Sequence, residues 1–171
     1  FQMHSHRHME IITYVISGAL EHKDSLGNQS VIRPMDVQRM SAGTGIAHSE
    51  FNHFKDQETH LLQIWIIPDQ LGLAPSYQQK NFQSVRKPGN LTLLVSPKGD
   101  QDSLQIHQDA KLYVLDLDAG QAYTHALKSS RMAWIQVARG SVSLNDYELL
   151  QGDGASTDET LLKFQSPEKA E

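Results

Sequence analysis

Cysteine is absent from this chain. Disulfides and thiolate metal sites are therefore excluded, and any bound metal must rest on imidazole and carboxylate. Long apolar runs are missing as well: nothing approaches the roughly 18 consecutive apolar residues that a membrane-crossing helix needs. Positive charge is in the minority, with 15 Lys and Arg against 20 Asp and Glu for a net charge of −5. Direct nucleic-acid binding needs a basic face that displaces counterions from phosphates, so it is not expected. The first residue is Phe1 and not a methionine. A metal-binding strand rarely sits at a frayed terminus, so residues are expected to be missing upstream, and an absent signal peptide carries no weight.

The chain has 171 residues, of which 39 % are hydrophobic and 20 % charged. That composition buries a core, and the length suits one ordinary domain or two small barrels. A cytoplasmic location is the default expectation. Nine histidines stand beside the zero cysteines, so imidazole is where the chemistry is sought.

Short strands separated by turn residues fill the sequence. Residues 10–16 are β-branched and aromatic and stop at Gly18. Residues 19–23 and 29–32 flank a loop of turn formers at 24–28. A turn at Pro34, Met35 and Asp36 precedes residues 37–40, and a glycine turn at 43–45 leads into 46–52. Residues 60–67 form a strongly apolar strand ending at Pro68. Composition turns polar over 71–90 before strands resume at 91–95, 112–117, 132–137, 141–144 and 147–150. The one helical expectation falls on residues 74–83. The halves repeat: residues 15–20 around Gly18 resemble 137–142 around Gly140, and each copy leads through a hairpin to an acidic turn, at Asp36 and at Asp153. The expected architecture is all-β with two barrels: a metal-binding barrel at 1–74, a connection at 75–90, and a second barrel at 91–171.

Two segments hold the candidate ligands. In the first, His4 and His6 are two residues apart, so on a strand they share a face at about 6.6–7 Å. In the second, His48 and Glu50 have the same spacing behind Gly45. If the two strands pair inside a barrel, three imidazoles and one carboxylate meet, a set that suits iron(II), manganese, nickel or copper, and zinc less distinctively. A lone His-x-His is as often a fortuitous surface pair; the second pair, about forty residues on, lowers that chance. His8 continues the face of His4, but its Cα lies about 13 Å from that of His4, which places it at the rim. Glu10 continues the same face and is read as a base, a support behind the ligands, or a structural carboxylate, with support favoured. His22, His53, His60 and His107 lack paired spacing and read as ordinary strand or surface histidines. His125 precedes Gly140 as His4 precedes Gly18, but Leu127 stands where its partner would be, so the second barrel is expected to be metal-free.

The pattern of His4-x-His6, Glu10, Gly18, and then Gly45 with His48 and Asn52 resembles the paired motifs of cupins. Residues 4–7, 13–15, 21–28, 40–50, 63–66 and 133–140 are similar to the pirin family over nearly the whole chain, above all to its bacterial members assigned as quercetin 2,3-dioxygenases. The resemblance implies a bicupin with one iron-type metal in the first barrel, held by His4, His6, His48 and Glu50, with Glu10 not a ligand. It also implies segments trimmed from both ends of the chain. Ser5, His8 and Met35 depart from the family pattern, and Met35 stands where a turn glycine is usual.

The activity implied is oxygenolytic ring opening of a flavonol by dioxygen with release of carbon monoxide. The metal would acidify the 3-hydroxyl, and Glu50 or Glu10 would take its proton. Phe51, Met40, Met9 and Trp65 are candidates for an apolar pocket wall, as well as for plain core. The alternative the family offers is a metal-dependent redox-sensing regulator that binds a protein partner. A metal-free sugar-isomerase type of cupin would leave four ligands without purpose.

Overall fold

Alternation of inward and outward side chains is the local rule that builds the molecule. The computed structural model describes residues 1–171. Its strands are β1 (His4–His6), β2 (Glu10–Ser17), β3 (Leu20–Asp24), β4 (Gln29–Ile32), β5 (Asp36–Ser41), β6 (Ile46–Asn52), β7 (His60–Ile66), β8 (Ser76–Asn81), β9 (Leu91–Ser96), β10 (Leu104–Gln105), β11 (Leu112–Leu115), β12 (Ala122–Ala126), β13 (Ala133–Gln136), β14 (Ser141–Leu144), β15 (Tyr147–Leu150), β16 (Gly154–Thr157) and β17 (Leu161–Gln165). The chain divides into two compact units, residues 1–85 with 93–113, and residues 86–92 with 114–171. No helix is long and apolar enough to cross a membrane.

The first unit is a barrel of two four-stranded sheets, ordered β1-β6-β3-β4 and β7-β2-β5-β8. Between them Ile11, Met40, Ala42 and Ile46 form one buried cluster, with Met9 against it. Val15, Leu20 and Ile32 form another, with Leu61. β3 shows the alternation plainly, with Leu20, His22 and Asp24 buried and Glu21 and Lys23 exposed. β2 is instead buried on both faces up to its last residue. The second covering layer comes from residues 93–113: His107 meets Glu10, the Gln105 backbone N–H donates to Gln78 (3.2 Å), and Gln108 donates to the Ile67 carbonyl (2.9 Å).

Residues 76–81, expected within a connection or a short helix, are strand β8. They pair with β5 along its full length, from Asp36↔Asn81 to Ser41↔Ser76. Polar composition hid this strand, because its inward side chains are polar: Tyr77 meets Ser30 (2.5 Å), and Gln79 donates to the Val31 carbonyl (3.2 Å). Long-range pairing overrode a loop-like local sequence.

In the second unit β12-β17-β14-β15 form one antiparallel sheet and β13 pairs with β16. Leu117, Val137 and Val142 are its buried centre, with Leu115, Tyr123, Leu149 and Phe164 packed on them. Arg86 binds both Asp116 (2.5 Å) and Glu171 (2.9 Å).

The internal repeat is visible in backbone detail. Gly18 (φ 76°) and Gly140 (φ 72°) share the left-handed conformation. A Cβ on either would lie 2.5 Å and 2.3 Å, respectively, from a backbone carbonyl oxygen, of Glu58 and of Lys169, so no other residue fits. The two acidic turns also match. Asp36 accepts from the Arg33 N–H (3.0 Å) and returns its own N–H to the Arg33 carbonyl (2.9 Å); Asp153 does the same with Leu150 at 2.8 and 2.9 Å. Gly152 carries the positive φ of one turn (93°), and Met35 that of the other (74°). A left-handed conformation costs a side-chain-bearing residue about 1–2 kcal/mol, partly offset by the greater chain entropy glycine loses on folding. Met35→Gly is therefore expected to stabilise the protein by about 0.5–1 kcal/mol. Urea unfolding checks this, and an unchanged or lowered midpoint would mean that the Met35 side chain contributes packing worth more than the strain.

Candidate metal centre

Strand register decides which side chains meet. β1 pairs antiparallel with β6, placing His4 opposite His48, while β3 on the other side of β6 places Asp24 opposite His48 and His22 opposite Glu50. Inward alternation then turns His4, His6, His48, Glu50, His22 and Asp24 into the barrel. The His4, His6 and His48 rings lie 4.4–5.0 Å apart between centroids. Two sets have potential ligand atoms within 4.8 Å of one another: His4, His6 and His48, and His22, His48 and Glu50. His48 belongs to both, and its Nδ1 is 4.0 Å from Glu50 Oε1.

Hydrogen-bond partners separate the two sets. His22 is committed at both nitrogens: its Nε2–H donates to Asp24 (3.1 Å), and its Nδ1 accepts from Gln38 (3.3 Å). His4 donates Nδ1–H to the Gln2 carbonyl (2.8 Å), so in the neutral ring Nε2 carries the lone pair. His6 Nε2 and both nitrogens of His48 are buried without any partner. Buried nitrogens of this kind are costly unless something binds them. Three imidazole lone pairs beside a carboxylate fit a divalent transition metal, so the residues present suit the group that the sequence pattern implies.

Electrostatics agree with ligands kept neutral. Burial, and then the neighbouring His4, His22 and His6, push His48 down to about 4; burial and His4 also push His6 down. Burial alone would raise Asp24, but hydrogen bonds from Asn28, His22 and the Asn28 and Leu26 backbone N–H groups hold it below the usual carboxylate range. Asp24 is thereby fixed by its own hairpin loop and in turn fixes the tautomer of His22.

Several residues lie elsewhere than expected. His8 sits in an exposed bend with φ 52°, donating its N–H to the Gly43 carbonyl (2.9 Å). There the chain passes from the sheet of β1 to the sheet of β2, so Glu10 does not continue the face of His4 and His6. Glu10 faces the opposite side of its sheet from Ile11, where it accepts from Ser41 (2.9 Å) and His107 (3.2 Å). Arg39 donates to Ser41 (2.7 Å) in the same buried group. Phe51 is half exposed, on the face of β6 opposite Glu50. Met40 and Met9 belong to the core cluster, while Trp65 packs edge-on against His6 at 4.9 Å. His53 pairs with Glu21 at the surface (2.7 Å), and His60 is exposed on β7. His125 stands on β12 opposite Leu162, the place that His48 takes opposite His4.

Two residues were missed. His22 is buried in the site, and its signal was the pairing with Asp24 two positions on in an alternating strand. Gln63 donates to both Glu50 oxygens (2.9 and 3.1 Å); no spacing rule marks a lone glutamine.

Two barrels of this kind, one bearing a histidine and carboxylate cluster, define a bicupin. Residues 1–66 match the Pirin family model, and residues 93–171 match a model described as the quercetinase C-terminal cupin domain. A pirin-like protein of Caulobacter vibrioides is 40 % identical over 173 residues, covering all of this chain and 74 % of that protein. A quercetin 2,3-dioxygenase of Escherichia coli is 41 % identical over 154 residues; the match spans 90 % of this chain but only 65 % of the relative's length. The bacterial pirin YhhW of Escherichia coli, solved in complex with nickel(II), superposes with a TM-score of 0.92 at 37 % identity, over 99 % of this chain and 72 % of that one. The chain belongs to the pirin family.

The lowered His48 and His6 values carry a sign. An unfolded histidine takes its proton near pH 6.5, whereas folded, metal-free His48 takes one only near 4. Between those values the unfolded chain binds more protons, so these histidines reduce stability as pH falls from 6.5 towards 4. Ring-proton NMR of metal-free protein is expected to show His48 neutral down to about pH 5, with the melting temperature declining through the same window. A His48 ring that titrates near 6.5 would mean that water reaches it freely.

Proposed function

We propose that this protein is a metal-dependent dioxygenase of the quercetin 2,3-dioxygenase type, with one metal held by His4, His6, His48 and Glu50. The observation that carries the reading is the set of buried ring nitrogens of His6 and His48 that have no partner, facing His4 beside Glu50. Iron(II) is the metal we assign; nickel, copper, manganese and zinc share the donor preference. Kinship with a quercetin 2,3-dioxygenase supports a flavonol, or a similar small aromatic, and dioxygen as substrates.

Bound at this site, the metal supplies Lewis acidity that lowers the pKa of a coordinated hydroxyl. The protein does the remainder. Glu50 accepts the proton of the flavonol 3-hydroxyl at a carboxylate oxygen, as general base. His4, His6 and His48 would hold the metal from one side and leave the proton to Glu50. Asp24 and His22 hold the inner wall rigid beside Glu50 and His48. The resulting electron-rich flavonolate reacts with dioxygen, its central ring opens, and one ring carbon leaves as carbon monoxide. Glu10, facing the other side of its sheet, takes no part; its role is to bind Ser41 and His107.

The test is oxygen uptake by the iron-reconstituted chain given quercetin, with His48→Ala beside it. Uptake by the parent and only background from the variant is the expected result, together with loss of stoichiometric metal from the variant. A folded, metal-loaded parent that takes up no oxygen would turn the assignment towards the partner-binding regulator. Glu10→Gln is expected to retain its metal while losing about 1–3 kcal/mol of stability through weakened buried hydrogen bonds. Metal analysis and urea unfolding check both halves; loss of metal would return Glu10 to the site.

A further inference from the structure

Gln63 lies on β7 opposite Thr13 of β2, and its side chain crosses the barrel interior to the other sheet. There its amide nitrogen donates to both oxygens of Glu50, at 2.9 and 3.1 Å. Its amide oxygen accepts from the indole N–H of Trp65 at 3.0 Å. Chemistry fixes the direction of this chain. Indole can only donate and a carboxylate can only accept, so the amide between them has a single workable orientation. Glu50 is 3 % exposed and Trp65 is 53 % exposed, so the chain runs from the surface to a buried carboxylate. The Trp65 ring also packs edge-on against His6, 4.9 Å between centroids and 83° between planes. One half-exposed residue therefore bears on two of the four proposed ligands, directly on one and through an amide on the other.

We infer that Gln63 is the positioning residue of Glu50, and that Trp65 acts on the metal site by locking the Gln63 amide. The inference rests on the ligand assignment proposed above. A buried carboxylate needs N–H donors to hold one orientation, and Gln63 provides two contacts from one group. The Gln63 amide has a rotatable bond that would otherwise let it turn its oxygen towards Glu50. The Trp65 N–H removes that freedom by rewarding only the productive orientation. Trp65 thus has a function at the site that does not depend on apolar contact.

The experiment is a double-mutant cycle on metal affinity, with Ni²⁺ as the probe titrated calorimetrically into the metal-free protein. The variants are Gln63→Leu, Trp65→Phe, the pair together, and His48→Ala. Trp65→Phe removes the N–H and keeps a smaller aromatic ring beside His6, and its half-exposed position makes folding secure. Gln63→Leu is expected to weaken Ni²⁺ binding by about 10–100-fold, the usual effect of losing a residue that supports a ligand. Trp65→Phe should weaken it by about fivefold, equivalent to one neutral hydrogen bond. The double variant should bind no more weakly than Gln63→Leu alone, because the Trp65 effect passes through Gln63. A merely structural role would lower thermal stability and leave the two effects additive.

Outcomes separate cleanly. If His48→Ala binds Ni²⁺ as tightly as the parent, the ligand assignment itself fails. If His48→Ala loses the ion while Gln63→Leu stays within twofold of the parent, the inference fails and the assignment stands. Additive losses in the double variant would overturn the Trp65 lock while leaving Gln63 as a support.

Discussion

The register of β1 against β6 is the constraint on which the site depends. It sets His4 opposite His48, and a shift of one residue would carry His4 and His6 to the outer face of the sheet. The ring cluster inherits this pairing, as does the share that His4 and His6 add to burial in pushing His48 down. The register is defended at several points. Gly43, at φ 51°, holds the turn before β6 where any Cβ would strike the Leu73 carbonyl oxygen. The pairing of β3 with β6 fixes the other edge, so that His48 has a partner strand on each side.

A metal site inside a barrel sets polar groups against the burial that folds the protein. The structure resolves the conflict unevenly. His22, Asp24 and Gln63 are satisfied by one another or by the site, and they make a stiff polar wall. His6 and His48 are left with ring nitrogens that nothing in the protein satisfies. Thr13, Gln38 and Arg39 each leave one buried polar atom unpaired as well, but only at His6 and His48 do the unpaired atoms converge with other potential ligand atoms, which is the physical mark of a binding centre.

The two faces of the β7-β2-β5-β8 sheet show how far apart neighbouring residues can be in function. Ile11 and Thr13 look into the barrel, while Glu10 and Ile12 look out beneath residues 93–113. Glu10 and His6 are only four positions apart in sequence, yet they lie in different sheets, His6 turned into the barrel from β1 and Glu10 turned outward from β2. The second unit repeats the same backbone turns as the first. It sets Leu162 opposite His125 on the corresponding strand pair, so the repeat is legible in the glycines and acidic turns and not in the ligands.

The sequence by itself determined the all-β class, the two-barrel repeat, the family, and the face shared by His4 with His6 and by His48 with Glu50. Those features depend on period-two alternation and on turn residues, which are local and therefore readable. It also marked Met35 as an unusual residue in a turn that proved to need a positive φ. Only the tertiary structure decided the rest. It turned residues 76–81 into a strand, attached residues 93–113 to the first unit, placed Glu10 on the far face, and brought His22 and Gln63 to the site. The physical reason is common to all four. Which strands pair, and where a chain crosses from one sheet to the next, is settled by contacts between residues distant in sequence. No local period carries that information.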